Sequence, residues 1–190
     1  MDTRKAAAWF IIAIMVLSIG GFIGGSFFTP DSSASFSEEF NGFVFKRENN
    51  LWVTAINGQE YGLLYLPREL QSLSLPVSVT AWRGVEKVHL IDESADNASV
   101  AASSLALLQN VLYVNNVRLQ EACRAEDACV KDVPIVNCQQ PAIIIRDADS
   151  AVTETTLLGD DQCLIIRASS SFEFEKVSER IIYEFLGVLP

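Results

Sequence analysis

The sequence predicts an α+β protein: an N-terminal transmembrane helix, then an antiparallel meander and a mixed βαβββα extracytoplasmic domain. Three observations predict it. The run Ala6–Phe28 is 23 residues long and carries no charge. Residues 41–66 alternate β-rich runs with turn signals, Asn57-Gly58 above all. Two later segments repeat apolar residues at helical spacing.

The first run has the length of a membrane helix, since about 20 residues cross a hydrocarbon core of about 30 Å. A helix is expected there because lipid offers the backbone no hydrogen-bond partner. Arg4 and Lys5 precede the run, and no basic residue follows before Lys46. The positive-inside bias then makes residues 1–5 a cytoplasmic N-terminus and 6–28 a single-pass span, with the rest outside the cell membrane. Gly20/Gly24 and Gly21/Gly25 form two small-xxx-small pairs, which let membrane helices approach closely. The alternative for these glycines is their ordinary frequency in such helices. A cleaved secretory signal is the competing reading of the whole run, with Ser32-Ser33-Ala34 as its site. Its apolar core would normally be about 7–15 residues, shorter than this one.

Residues 29–40 are small, polar and acidic, and read as a tether to a domain over 41–190. The meander is expected at Asn41–Leu66, ending at Pro67, with a helical turn within Arg68–Leu73. Val77–Trp82 and Val85–Asp92 read as strands around Arg83-Gly84. A helix follows over about Ala98–Glu121, with Ala101, Leu105, Leu108 and Leu112 on one face and Val117 and Leu119 in its last turns. Val133–Asn137 and Ala142–Arg146 read as strands. Thr155–Leu158 and Gln162–Ala168 read as a hairpin about Gly159-Asp160. A last helix is expected over Phe172–Leu186. Its stripe is Phe174, Val177, Ile181 and Phe185, with Glu173, Lys176, Glu179 and Arg180 facing water.

Cys123, Cys129, Cys138 and Cys163 all fall in the outer domain, where disulfides persist. Four cysteines allow three connectivities. Cys123–Cys129 with Cys138–Cys163 is favoured: the first closes a short loop and the second ties a strand to the predicted hairpin. Their spacings suit neither a zinc site nor a Cys-x-x-Cys redox pair.

Little else carries chemistry. A hydrophobic fraction of 49% excludes a disordered chain. A net charge of −10 argues against nucleic acid, where basic residues must neutralise phosphates. GxSxG, SxxK, HExxH, GxGxxG and P-loop patterns are absent from the sequence. The sequence therefore assigns no catalytic residue, no cofactor and no metal ligand. His89, the one histidine, reads as a surface or edge residue of a strand. Asp147, Asp149, Asp160 and Asp161 are two acidic pairs without calcium-loop spacing. Asn97-Ala98-Ser99 is a glycosylation sequon and, equally, a helix N-cap.

Two resemblances follow from particular residues. Arg4-Lys5-Ala6-Ala7-Ala8 before an apolar run resembles the processing site of archaeal pilin-like precursors, which implies cleavage after Ala6. Gly42-Phe43, Trp52, Asn57-Gly58-Gln59 and Tyr65-Leu66-Pro67 form one group of familiar stretches. Val133–Cys138, Cys163–Ile166, Arg180–Tyr183 and Leu186-Gly187-Val188 complete it. Together the chain resembles short archaeal single-pass membrane proteins with a small cysteine-bearing outer domain. That set has no assigned activity, so the resemblance implies an anchor, an exterior location and disulfides.

The expected function is binding or assembly at the cell surface, with the lipid bilayer and another membrane or surface protein as partners. A pilin-like or surface-layer-associated subunit is the alternative. The third reading is an enzyme whose acids near Asp147–Asp161 meet Arg146 or Arg167.

Overall fold

The computed structural model describes residues 36–94, 102–124, 129, 132–147 and 154–190. The proposed membrane run 6–28, with Gly20, Gly21, Gly24 and Gly25, lies outside them, as does Asn97. Among the described residues no helix is long and apolar enough to cross a membrane.

The domain opens with a four-stranded antiparallel meander: β1 (Ser37–Phe40), β2 (Phe43–Glu48), β3 (Leu51–Ile56) and β4 (Gln59–Leu63). Sheet pairing therefore begins at Ser37, inside the stretch read as tether. Each hairpin turns on two residues with positive φ: Asn41-Gly42, Asn49-Asn50 and Asn57-Gly58. Asparagine and glycine tolerate that conformation, and the resulting turns match the strand twist.

The second sheet is mixed, with five strands in the order β10-β11-β9-β5-β6. These are β5 (Lys87–Asp92), β6 (Arg118–Glu121), β9 (Ala142–Asp147), β10 (Thr156–Asp160) and β11 (Cys163–Ala168). β6, β5, β9 and β11 run parallel, and β10 closes one edge antiparallel. The short strands β7 (Cys123–Arg124) and β8 (Ile135–Val136) pair with each other in parallel. Helix α1 (Ala102–Val114) makes the crossover from β5 to β6, and α2 (Ser171–Leu186) follows β11.

One hydrophobic cluster joins the inner faces of both sheets through the helices. It contains Phe45, Trp52 and Leu63 of the meander, and Leu108 and Leu112 of α1. Val177, Ile181 and Phe185 of α2 and Ile143 and Leu164 of the mixed sheet complete the list of its main members. The helices thus form a middle layer between two sheets. The other face of the mixed sheet carries a smaller cluster with Ile91, Ile144 and Ile165. Both faces of β9 are covered, which explains its uninterrupted apolar run.

Five expectations are corrected. Residues 77–82 do not form a strand: Val79–Gly84 is a 3-10 helix. The Val79 amide donates to the Glu184 carboxylate and buried Trp82 joins the main core, so tertiary contact overrides β propensity there. α1 stops at Val114 rather than continuing to Glu121, because Asn116 turns left-handed and the Val117 amide donates back to Leu112 O. Residues 118–121 then join the sheet beside β5. The β10–β11 turn is Asp161-Gln162 rather than Gly159-Asp160, with Asp161 at φ 49°. His89 is buried, because β5 lies inside the sheet between β6 and β9. Glu179 and Arg180 are buried as well, since α2 is covered from two sides.

α2 is capped at both ends. The Ser170 hydroxyl accepts from the Glu173 amide at 3.3 Å. Gly187 ends the helix at φ 80°, where its amide donates to Glu184 O and that of Val188 to Tyr183 O. The Arg83 guanidinium donates to the last carbonyls, of Phe185 and Glu184. A Cβ at Gly187 would stand 2.8 Å from Arg83 Nη2. Gly187→Ala is therefore expected to lower stability by about 1–2 kcal/mol, through the left-handed backbone and a displaced arginine. The urea midpoint checks it, and an unchanged midpoint would refute it.

Candidate functional site

Three residues leave β4 and cross to α2: Leu64, Tyr65 and Leu66. They lie past the end of the ladder, so their backbone groups need other partners. Glu179 accepts from the Leu64 amide at 2.7 Å with one oxygen and from the Tyr65 amide at 2.9 Å with the other. The Tyr183 hydroxyl donates to Tyr65 O at 2.6 Å. The Glu69 carboxylate, on the 3-10 turn Pro67–Glu69, accepts from the Leu66 amide at 2.7 Å. These side chains strap the meander to the helix.

Glu179 has no solvent exposure. Burial pushes its carboxyl up to about 7; the two amide donors oppose this, and the charges of Glu175 and Glu69 add to it. Burial also raises Tyr183, and lifts Tyr65 to about 12 with help from Glu175 and Glu179.

Beside the strap is a pocket of about 250 Å³ between β4, α1 and α2. Leu51, Leu64 and Leu107 supply apolar wall, Ser103 and Ser104 line the α1 side, and Glu175 and Glu179 line the α2 side. An apolar recess with a few polar groups and a perturbed carboxyl is the usual form of a small binding site.

On the far face of the mixed sheet, strand order reverses between β5 and β9, the place where parallel sheets open a crevice at their carboxyl ends. There Glu93 accepts from Arg146 Nε, and Arg124 stands 3.8 Å from its other oxygen. The Glu93 amide also donates to Ile145 O, which fixes the residue to the sheet. Arg146 thus meets Glu93 rather than Asp160 or Asp161. Those two line a separate pocket of about 260 Å³ with Arg124, Asn137 and Gln139. The Asp147 side chain and Asp149 lie outside the described residues.

His89 Nδ1 is buried without a hydrogen-bond partner among the described residues. Burial, with the charge of Lys87, holds this imidazole below its usual range despite a bond with Gln140. No group of three His, Cys, Asp or Glu among the described residues is placed to hold a metal ion.

The cysteines pair as Cys123–Cys129 and Cys138–Cys163, with Cα separations of 5.9 and 5.0 Å. The second bond joins the turn before β9 to the start of β11, where the Gln162 amide also donates to Cys138 O.

Sequence reasoning missed Glu93, Glu179 and Glu184. A usable signal was present for the last two. Apolar residues at 174, 177, 181, 182, 185 and 186 spread over more of the helix than one stripe needs. A helix so patterned is covered on two sides, and the glutamates between must be satisfied inside.

The described residues therefore define a disulfide-bonded α+β domain with a meander and a mixed sheet packed about two helices. Comparison with protein-family models, with curated proteins and with solved structures returned no match.

Proposed function

We propose that this chain is a single-pass protein anchored by residues 6–28, with its N-terminus in the cytoplasm and its domain acting outside the cell as a binding or assembly module. The observation that carries the reading is the pair of disulfides in a domain preceded by a 23-residue uncharged run with Arg4 and Lys5 on its near side. The pocket beside Glu179 supports a binding role, because its walls are apolar and its polar groups few. Kinship with the archaeal single-pass set is part of the same proposal, as are the bilayer and a surface partner. Arg4-Lys5-Ala6 favours a second reading, a pilin-like subunit processed after Ala6.

The test is the intact mass of the protein extracted from native membranes, before and after reduction. Full length with a gain of four hydrogens is expected, one for each cysteine in the two bonds. Loss of residues 1–6 selects the pilin-like reading. Loss of the whole apolar run overturns the anchor, and no mass gain on reduction overturns the exterior location.

A further inference from the structure

We propose that the pocket between β4, α1 and α2 binds an aliphatic primary ammonium. Its charged end meets Glu175, with the charge of Glu179 behind, and its hydrocarbon lies along the leucines. This names the ligand class of the pocket and rests on reading that pocket as a binding site, not on the membrane anchor.

Two carboxylates border the cavity, and no cation among the described residues does. α2 brings Glu175 and Glu179 to it one turn apart. No lysine or arginine among the described residues pairs with either. Lys176 turns to Glu173 and to the Phe172 ring, and Arg180 turns to Glu184, Leu73 O and Pro190 O. Glu184 shows the contrast on the same helix: it is also buried, and it has Arg180 at 3.1 Å. The Leu64 and Tyr65 amides each take one lone pair of Glu179 and favour its ionised form. They carry no net charge, so the anion they hold still lacks a counter-ion. Glu175 is half-buried and accepts from the Tyr65 hydroxyl, which leaves it further acceptor capacity. It is the carboxylate that a ligand touches, because Glu179 has no exposure and acts through its charge.

The walls select the rest of the ligand. Leu51, Leu64 and Leu107 are apolar, and Leu64 is among the exposed large side chains, so covering it is favourable. Gly62 lines the same cavity, and a Cβ there would stand 3.2 Å from Leu51 Cδ1. The missing side chain keeps that wall open. A hard metal ion wants a shell of oxygen ligands, which leucines do not supply. An anion is repelled by both carboxylates, and a neutral apolar molecule leaves their charge uncompensated. A short alkyl chain ending in an ammonium meets both needs. Its methylenes cover leucine, and its three N–H donors face Glu175 and the Ser103 and Ser104 hydroxyls that line the α1 side.

NMR titration of the whole chain with n-butylammonium chloride, at ionic strength held constant with sodium chloride, tests this. Saturable amide shifts at Gly62, Leu64 and Leu107 are expected, with Ile144 unmoved and a Kd on the order of 1 mM. Neutral n-butanol should bind at least about tenfold more weakly, and n-butylammonium should lose as much in Glu175→Gln. No saturation by about 20 mM, butanol binding as tight as that of the ammonium, or wild-type affinity in Glu175→Gln overturns the proposal. Should that variant fail to fold, the butanol comparison on the wild type decides alone. Nα-acetyl-lysine methylamide separates two sources of the same chemistry. Affinity equal to that of n-butylammonium points to a lysine of a partner protein, and weaker binding points to a free amine. A negative titration removes the ligand and leaves the anchor standing, since the intact mass tests that separately.

Discussion

Arg180→Ala is expected to destabilise the domain by about 3–5 kcal/mol, which for a domain of this size is a large share of its stability. Arg180 is buried on α2 and serves three partners. Its Nη1 stands 3.1 Å from Glu184 Oε2, its Nε donates to Leu73 O at 2.8 Å, and its Nη2 donates to Pro190 O at 2.6 Å. Truncation leaves Glu184 as a buried anion whose remaining donor is the Val79 amide. It also strips two carbonyls of a charged donor. The measurement is the urea midpoint of the single variant beside Arg180→Ala/Glu184→Gln. The double variant should recover part of the loss, because no uncompensated charge remains. A single variant with the wild-type midpoint, or a double variant showing the plain sum, would refute this account.

The second large effect belongs to Cys138–Cys163. Replacing both cysteines by alanine is expected to lower stability by about 3 kcal/mol, by freeing a loop whose ends are 25 residues apart in sequence. Cys163 is buried opposite Ala142 at the start of the β9–β11 pairing, so the bond also sets where that parallel ladder begins. The same replacement at Cys123 and Cys129 should have a smaller effect, roughly 2 kcal/mol, since that loop spans only 6. Denaturant midpoints of the two double variants give the ranking. Equal losses, or the reverse order, would show that loop entropy does not govern these bonds.

Local signals were legible where a residue's own chemistry limits the backbone. Asn57-Gly58 turns the last hairpin of the meander, and the same pair at Asn41-Gly42 turns the first. That earlier pair carried the information that sheet pairing starts before residue 41. The α2 stripe of Phe174, Val177, Ile181 and Phe185 lies in the core as its spacing requires. The run 142–146 is a strand covered on both faces, as its unbroken apolar character suggests. The candidate site was much less legible. Glu179 and Arg180 read as water-facing because the single stripe of 174, 177, 181 and 185 accounts for only one covered side, whereas the meander covers a second, which Ile182 and Leu186 outside that stripe already mark. His89 read as an edge residue because strand order is not written in a strand's own sequence.

By itself, then, the sequence determined the α+β class, the asparagine turns, the two helices and an uncharged run long enough to span a membrane. Each of these rests on interactions between residues near one another in the chain: φ preference, periodicity or loop closure. Only the tertiary structure decided that residues 79–84 wind into a 3-10 helix and that 118–121 pair beside β5. It alone put one buried glutamate against an arginine and left the other holding two amides. The 3-10 helix and the Glu179 strap depend on surfaces that arrive from more than a hundred residues away, as between Leu64 and Glu179, whose separation is 115, and the β5–β6 pairing joins Lys87 to Arg118 across the intervening helix. Burial is a property of that meeting: even the Arg180–Glu184 pair, an i,i+4 pair on α2, is buried only because distant surfaces cover it.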